Sequence, residues 1–209
     1  MAIRIRKRRT LNEIIFCSLR ANECCVIIVI FAMKTILVFV TTLDGKVTKW
    51  FDPHVWQWSS KEDQAYFKQI WKDYKLFIMG SGTFNFDPVK PNPDYLLTIM
   101  THEPEKYEKY VTEGQIEFTS ENAKQISERF AKQGYETMVV VGGPHIATAF
   151  LKDQLIDELW LTLEPKIFGT GGNFVIEEPL DVTLKQISCE KVNEQGTMIT
   201  KYAVVKKGG

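Results

Sequence analysis

Short, nearly unbroken apolar runs recur along this chain, each about as long as a β-strand. Residues 35–41 (TILVFVT) and 137–141 (TMVVV) are the clearest examples. A strand with one face in water alternates apolar with polar residues, whereas an unbroken apolar run indicates burial on both faces. Such strands occur in parallel sheets that are covered by helices on both sides. The runs therefore predict an α/β fold.

Helix-length amphipathic segments alternate with these runs, as expected when helices and strands wind around a central sheet. Further strands are predicted at residues 75–79, 95–100 and 159–163, and helices at residues 60–73, at residues 120–132 and directly after Pro144. The segment between residues 79 and 95 is rich in Pro and Asn and is predicted to be a loop. Residues 183–191 and 197–205 flank the turn VNEQG, which predicts an antiparallel hairpin. The expected fold class is α/β, with a central, mostly parallel mixed sheet flanked by helices and a C-terminal antiparallel hairpin.

The first 32 residues differ in character from the remainder. They are rich in arginine, and residues 24–32 (CCVIIVIFA) form an apolar run, shorter than the ~20 residues needed to cross a bilayer. Met33 then opens a segment, MKTILVFVTTLDGKV, that begins directly with the first predicted strand. We predict that residues 1–32 are a non-folding extension or a misassigned start, and that residues 33–209 form one domain. A membrane or export signal in residues 1–32 is the alternative.

The composition is that of an average soluble protein. Lys+Arg and Asp+Glu number 26 each, so no strong field for nucleic acid is expected. Three of the four cysteines precede Met33, which leaves only Cys189 in the predicted domain and excludes a disulfide within it. We therefore expect a cytoplasmic protein with no membrane or nucleic-acid partner. His102 and His145 are too isolated along the chain to suggest a metal site.

Two glycine-containing segments each follow an apolar strand. VVVGGPHIATAF at residues 139–150 runs from a strand through two glycines into a helix, and MGSGT at residues 79–83 follows another strand. Glycines allow a phosphate to approach the backbone, and a helix start offers unpaired N–H groups to it. The pattern indicates a dinucleotide lying across the carboxyl ends of the strands. The alternative is a tight strand-to-helix turn without a ligand.

A carboxylate lies among aromatic residues in the segment WQWSSKEDQAYFK, residues 56–68. Asp63 is four residues before Phe67 on the same face of the predicted helix, and Trp58 precedes both. An acid in an apolar pocket can handle a proton because desolvation raises its pKa. The alternative is an exposed acid that suits the helix dipole.

These segments, taken in order, resemble the dihydrofolate-reductase-like fold family. The resemblance is closest to the C-terminal reductase domain of bifunctional riboflavin-biosynthesis deaminase/reductase proteins, and it covers nearly all of residues 33–206. It is carried by TLDGKV (42–47), WSSKEDQAYFK (58–68), IMGSGT (78–83), VVGGPHIA (140–147) and LIDELWLTLEPKIFGTGG (155–172). The resemblance implies an NADPH-dependent oxidoreductase that transfers hydride to a small pyrimidine-like or pteridine-like substrate, and a chain able to pair into a homodimer.

The resemblance also implies roles for individual residues. Those bordering the cofactor would be Gly80, Ser81, Thr83, Gly142, Gly143, Pro144, His145, Ile146 and Ala147, with Thr101 and His102 near the adenosine 2′-phosphate. Asp63 would hold the heterocycle, with Thr162 as its hydrogen-bond partner. The remaining substrate-side residues would be Asp44, Lys46, Trp58, Phe67 and Asp87.

Three positions depart from the pattern of the family. Asp94 and Tyr95 stand where dihydrofolate reductases place an arginine for the folate tail, and Arg129 is the only arginine after residue 32. A lysine does not replace that bidentate clamp, so the riboflavin type of reductase is favoured over dihydrofolate reductase. Ser81 stands where an arginine often binds the 2′-phosphate, so the choice between NADPH and NADH stays open. Val141 stands where the riboflavin reductases usually have a glutamate, directly before the paired glycines. A catalytically silent nucleotide-binding protein is the alternative from another class.

Overall fold

The computed structural model describes residues 6–7, 13–16, 28–31, 33–50 and 52–206. Three short strands precede the domain, β1 (Arg6–Lys7), β2 (Glu13–Phe16) and β3 (Ile28–Phe31), and pair antiparallel in the order β1-β2-β3. Most of residues 1–32 lie outside the described residues, so their interpretation as a non-folding extension or misassigned start stays a prediction.

Eight strands and four α-helices follow. The strands are β4 (Lys34–Thr42), β5 (Leu76–Gly80), β6 (Leu96–Met100), β7 (Ile116–Thr119), β8 (Thr137–Val140), β9 (Glu158–Glu164), β10 (Thr183–Lys191) and β11 (Met198–Val205). The helices are α1 (Lys61–Asp73), α2 (Ser81–Phe86), α3 (Ala123–Lys132) and α4 (Pro144–Lys152), with 3₁₀ turns at Val55–Gln57 and Pro104–Tyr110.

The eight strands form one mixed sheet in the order β10-β11-β9-β4-β8-β5-β6-β7. The six strands from β9 to β7 in that order are parallel, and β11 and β10 join antiparallel beyond β9. This confirms the predicted fold class, including the C-terminal hairpin. Because the six strands are parallel, their carboxyl ends lie along one edge of the sheet.

The central strands are buried on both faces, which explains their unbroken apolar sequences. Successive side chains of a strand point to opposite faces. Leu76 and Ile78 of β5 therefore pack with the α3–α4 side of the sheet, whereas Phe77 and Met79 pack with the α1–α2 side. All four side chains are buried. Two apolar layers thus hold the helices against the sheet and fix the edge where the strands end.

Two elements were not predicted from the sequence. Helix α2 replaces the first part of the expected Pro- and Asn-rich loop, and β7 forms where no strand was expected. The segment SGTFNF contains a glycine, which disfavours helix, but Phe84 is buried against the sheet. Tertiary packing therefore overrides the weak local preference at α2.

Candidate functional site

The two glycine segments lie side by side at the carboxyl edge of the sheet. β5 and β8 are neighbouring parallel strands. The amide of Gly80 donates to the carbonyl of Gly142 at 2.9 Å, and the amide of Val141 donates to the carbonyl of Ile78 at 2.9 Å. The structure therefore brings together the two segments that the sequence indicated as a nucleotide site.

Side chains would not fit at the centre of this pair. A Cβ at Gly143 would lie 2.9 Å from the Thr83 hydroxyl oxygen, and one at Gly80 would lie 2.9 Å from Cγ1 of Ile146. Gly142 has φ of +128°, a conformation that other residues rarely adopt. The peptide bond between Gly142 and Gly143 is cis. The two segments therefore pack tightly against each other at the point where α4 begins.

Helix α4 starts immediately after these glycines. Gly143 is its N-cap and supplies no side-chain hydrogen bond to the first turn, and Pro144 opens the helix. The start of a helix carries a partial positive charge and unpaired N–H groups, which favour an anion. Ala147 is buried, whereas His145 is exposed and Ile146 is half-buried. This arrangement suits a phosphate group better than it suits an apolar ligand.

The other predicted cofactor residues lie along the same edge. Ser81 and Thr83 belong to the first turn of α2, so the MGSGT segment leads into a helix and does not form an open turn. Thr101 directly follows β6, and Met100 at the end of β6 pairs with Gly80. The Thr101 hydroxyl accepts a hydrogen bond from the amide of Glu103 at 3.3 Å. His102 is exposed. Ser81 and Thr83 lie within one glycine segment, whereas Thr101 and His102 follow the neighbouring strand β6. The roles of all four stay predictions.

Asp63 is buried on α1, with 6% of its surface exposed. Desolvation raises the pKa of its carboxyl to about 6. The hydrogen bond from Thr162 lowers this pKa, and the negative charge of Glu164 raises it. Thr162 lies on β9, separated from β8 and its glycines by β4. The structure therefore joins Asp63 to Thr162, as the resemblance implied, and does not place Asp63 on an exposed helix surface.

Further polar groups lie close to this acid in the sequence. The Ser59 hydroxyl hydrogen bonds to the Asp63 carboxyl and lowers its pKa. The indole N–H of Trp58 and the hydroxyl of Tyr66 are buried and have no hydrogen-bond partner among the described residues. Buried polar groups are normally paired. Such groups are suited to hydrogen bonding with a polar ligand or with water.

Aromatic rings pack against Trp58 and Phe67, on either side of Asp63 in the sequence. The ring of Trp58 contacts the ring of Phe168 edge to face, with centroids 5.2 Å apart. Phe67 is half-buried and contacts Trp71 edge to face, with centroids 6.0 Å apart. Phe168 was not singled out from the sequence. The signal available for it was its place in the segment KIFGTGG that follows β9.

The loop after β4 is tied to the loop after β9. The Asp44 carboxylate accepts hydrogen bonds from the Thr42 hydroxyl and from the amides of Gly169 and Phe168, which lower its pKa. The Lys46 ammonium donates to the side-chain oxygen of Asn173 at 2.8 Å. These two predicted substrate residues therefore hold two loops together.

Asp87 lies at the end of α2. It is exposed and follows the last residue of α2, at the opposite end of that helix from Gly80. None of the described hydrogen bonds joins its side chain to Asp63 or Thr162.

Glu164 and Lys166 are the further residues that sequence reasoning missed. Glu164 is buried, and one of its oxygens accepts a hydrogen bond from the Ser60 amide at 2.6 Å. The Lys166 ammonium donates to the carbonyl of Trp58 at 2.5 Å. The spacing of Glu164 from Thr162 was the available signal for Glu164, because alternate residues of a strand share a face.

The described residues contain no group of three or more His, Cys, Asp or Glu side chains placed to hold a metal ion. Within the same part of the chain, no helix has both the length and the apolar character that a membrane span requires. Surface cavities lined by Lys206 and Gln154 lie at the amino ends of β4 and β9, away from the glycine segments.

Comparisons with known proteins agree with this fold. A family model described as the RibD C-terminal domain matches residues 33–198. An uncharacterised protein of Bacillus subtilis (strain 168), YwjB, is 24% identical over 148 residues, which are 66% of this chain and 80% of that protein.

Two solved structures show the same fold. A diaminohydroxyphosphoribosylaminopyrimidine deaminase/5-amino-6-(5-phosphoribosylamino)uracil reductase from Thermotoga maritima superposes with a TM-score of 0.64 at 16% identity, over 83% of this chain and 57% of that one. A dihydrofolate reductase from Enterococcus faecalis complexed with NADP(H) superposes with a TM-score of 0.62 at 19% identity, over 84% of this chain and 99% of that one.

Proposed function

Because the chain belongs to the RibD C-terminal domain family, we propose that it is an NADPH-dependent reductase of the riboflavin-biosynthesis type. Its substrate is a small pyrimidine-like or pteridine-like heterocycle, as in 5-amino-6-(5-phosphoribosylamino)uracil reductases. The observation that carries this proposal is Asp63, a buried carboxyl with a raised pKa at the same sheet edge as the paired glycine segments. Perturbed acids in such places are typical of catalytic sites.

The residues present fit a pyridine dinucleotide. Gly80, Gly142 and Gly143 let the two glycine segments pack closely, and the start of α4 would hold the pyrophosphate through its N–H groups. Thr101 and His102 would lie toward the adenosine end. A reduced nicotinamide supplies the hydride when the cofactor is bound, and the protein orients the substrate against it.

Asp63 would bind the heterocycle and provide a proton or a hydrogen bond. With a pKa of about 6, roughly a tenth of the carboxyl groups remain protonated at pH 7. A neutral carboxyl donates a hydrogen bond to a ring nitrogen, whereas a carboxylate accepts hydrogen bonds from amino groups. The indole N–H of Trp58, which has no partner among the described residues, would provide a further polar contact.

The charged groups suit a substrate with a phosphate substituent, and the described part of the chain offers no free arginine for a folate tail. Lys46, Lys49 and Lys166 lie on the loops after β4 and β9, and none of them forms a salt bridge within the described part of the chain. Arg129, in contrast, is engaged by Glu117 at 2.7 Å and Glu121 at 2.8 Å. It is therefore not free to clamp the carboxylate of a folate tail.

Dihydrofolate reductase is the second candidate. Trp58, Asp63 and Phe67 occur together on and before α1, as in those enzymes, and the NADP(H)-bound Enterococcus faecalis enzyme shares the fold. The engaged Arg129 argues against it. The two candidates differ in the substrate that they reduce, so steady-state turnover distinguishes them.

Turnover of purified protein with a panel of heterocycles tests the proposal. NADPH oxidation is followed by absorbance with 5-amino-6-(5-phosphoribosylamino)uracil, with its dephosphorylated form and with dihydrofolate. We expect the phosphorylated aminouracil to have the highest kcat/KM, and Asp63→Asn to lower turnover by a factor on the order of tens or more. Highest turnover with dihydrofolate would establish the second candidate. NADPH binding without oxidation of any substrate would support a silent binder.

Gly143→Val tests the cofactor cradle. A branched side chain would clash with the Thr83 hydroxyl, so we expect NADPH to bind at least roughly tenfold more weakly, as measured by nicotinamide fluorescence. Ala131→Val adds bulk on the exposed face of α3 and should leave NADPH affinity unchanged. Equal NADPH affinity in a folded Gly143→Val protein would contradict the cradle.

A further inference from the structure

Two residues at the end of β9 and one residue just after it contact the start of α1. Thr162 hydrogen bonds to the carboxyl of Asp63, Glu164 accepts from the amide of Ser60, and Lys166 donates to the carbonyl of Trp58. Thr162 and Glu164 are alternate residues of the strand and project to the same side, and the chain bends at Pro165 before Lys166. The end of β9 and the residues after it therefore hold the segment 58–63 at three successive points.

Glu164 is the buried charge in this set. Its side chain is 2% exposed. One oxygen accepts from the Ser60 amide at 2.6 Å and the other accepts from the Thr197 hydroxyl at 2.9 Å. None of the described salt bridges includes it. Burying a carboxylate without a cation costs free energy, and these two neutral donors stabilise it only in part.

The same contacts reach the tip of the β10–β11 hairpin. Asn193 accepts from the amide of Thr197 at 2.9 Å and donates its side-chain amide to the carboxylate of Glu62 at 3.0 Å. Glu62 is in the first turn of α1, next to Asp63. The hairpin and β9 thus hold the start of α1 from two sides, and Glu164 is bonded to both the helix start and the hairpin.

We propose that Glu164 is a positioning residue, which holds the start of α1 against β9 so that the Asp63 carboxyl stays hydrogen-bonded to Thr162. The proposal rests on the proposed reductase function, because Asp63 is the acid of that site. The linkage is direct: the Ser60 amide bonds to Glu164, and the Ser60 hydroxyl accepts from the Asp63 amide at 3.2 Å. A shift of Ser60 would therefore move Asp63.

The charge of Glu164 has a second effect on the same acid. A negative neighbour disfavours ionisation of a carboxyl, so Glu164 raises the pKa of Asp63. The other charged groups around Asp63 are Lys61 and Glu62 on α1, Lys166 after β9, and Lys201 on β11, whose ammonium lies over the Trp160 ring. Glu164 is the charged group that raises the pKa of Asp63.

Titration of the Asp63 side chain by ¹³C NMR tests the proposal without any substrate. The Asp63 carboxyl signal is assigned by its absence from the Asp63→Asn spectrum. In Glu164→Gln, the amide oxygen still accepts from Ser60 but the charge is gone, so we expect the apparent pKa of Asp63 to fall by about half a unit or more. Glu190→Gln, on the exposed strand β10, should leave this pKa unchanged.

Activity measurements separate positioning from charge. Glu164→Ala removes both the charge and the acceptor for Ser60, so we expect kcat to fall roughly tenfold with a smaller change in KM. Glu164→Gln, which keeps the acceptor, should retain most of kcat while shifting the pH profile to lower pH. If Glu164→Ala does not fold, Glu164→Gln and Thr197→Val carry the test, and Thr197→Val should lower kcat without removing a charge.

The proposal would be overturned if the pKa of Asp63 in both Glu164→Gln and Thr197→Val equalled that in the wild-type protein and kcat was unchanged in both variants. This outcome is distinct from failure of the proposed function. Were the wild-type protein to reduce no heterocycle, the NMR titration would still show whether Glu164 controls the state of Asp63.

Discussion

At the scale of single residues, burial of the Asp63 carboxyl lowers the free energy of unfolding, and the rest of the chain has to offset this loss. Its carboxyl is 6% exposed, and the hydroxyls around it only partly replace water. A group buried at the expense of stability is typical of functional sites. The free energy of unfolding should therefore depend on pH through this one side chain.

Asp63→Asn should make the protein more stable at neutral pH. The folded pKa of about 6 lies above the ordinary value of 3.8, so the folded state binds more protons than the unfolded state between these pH values. Stability from this group is complete below about pH 4 and is lost as pH rises to about 6. Asparagine avoids that loss, which is worth up to roughly 3 kcal/mol.

Urea unfolding at pH 4 and pH 8 measures this effect. We expect Asp63→Asn to exceed the wild type in free energy of unfolding at pH 8 and to match it at pH 4. Asp94→Asn, at an exposed loop position, should show no such difference between the two pH values. A stability gain of equal size at both pH values would contradict the raised pKa.

Sequence reasoning identified Asp63, Trp58 and Thr162 but did not determine whether they are buried or which residues contact them. The segment WSSKEDQAYFK was equally compatible with an exposed acid at the start of a helix. Whether Asp63 is buried depends on β9 and Glu164, which come about one hundred residues later in the chain. Asp44 and Lys46 were expected to face the substrate, and the structure shows them also joining two loops.

At the scale of elements, the start of α1 couples helix stability to the candidate site. The Ser60 hydroxyl caps the helix by accepting from the Asp63 amide. Asn122 caps α3 in the same way, with Gln125 completing a capping box. The two caps are comparable in local chemistry, but only the first orders a residue of the candidate site.

Ser60→Ala and Asn122→Ala should therefore separate stability from function. Each variant loses a cap and should unfold with about 1 kcal/mol less free energy than the wild type. Ser60→Ala should also lower kcat, because it loosens the turn that carries Asp63. Denaturant unfolding and steady-state kinetics measure the two effects, and an equal loss of kcat in Asn122→Ala would show that the activity follows overall stability alone.

The elements predicted from periodicity correspond closely to those in the structure. Helix α1, predicted at residues 60–73, is Lys61–Asp73, and β4, predicted at residues 35–41, is Lys34–Thr42. The short elements α2 and β7 were missed because few residues carry their local signal. Their stability comes from packing, as the buried Phe84 and Ile116 show.

At the scale of the whole molecule, the family match begins where the first long strand begins. The match covers residues 33–198, and β4 starts at Lys34. Two apolar clusters of described residues lie within the part of the chain after residue 32. The part of the chain after residue 32 therefore has the apolar layers that a domain needs.

A protein that begins at Met33 should fold and function like the full chain. We expect an equal melting temperature within about 3 °C and equal turnover with NADPH and the preferred heterocycle. Circular dichroism and steady-state kinetics of the two proteins test this prediction. A truncated protein that unfolds or loses activity would show that residues 1–32 belong to the domain.

The sequence by itself determined the class of fold, the main strands and helices, and the short segments that could bind a nucleotide. These features follow from local spacing of apolar residues, glycines and caps, which act within a few residues of the chain. Only the tertiary structure decided that Gly80 lies beside Gly142 and that Asp63 lies beneath Thr162 and Glu164. Strand order and desolvation depend on which distant segments pack together, and the local pattern around each residue does not contain that information.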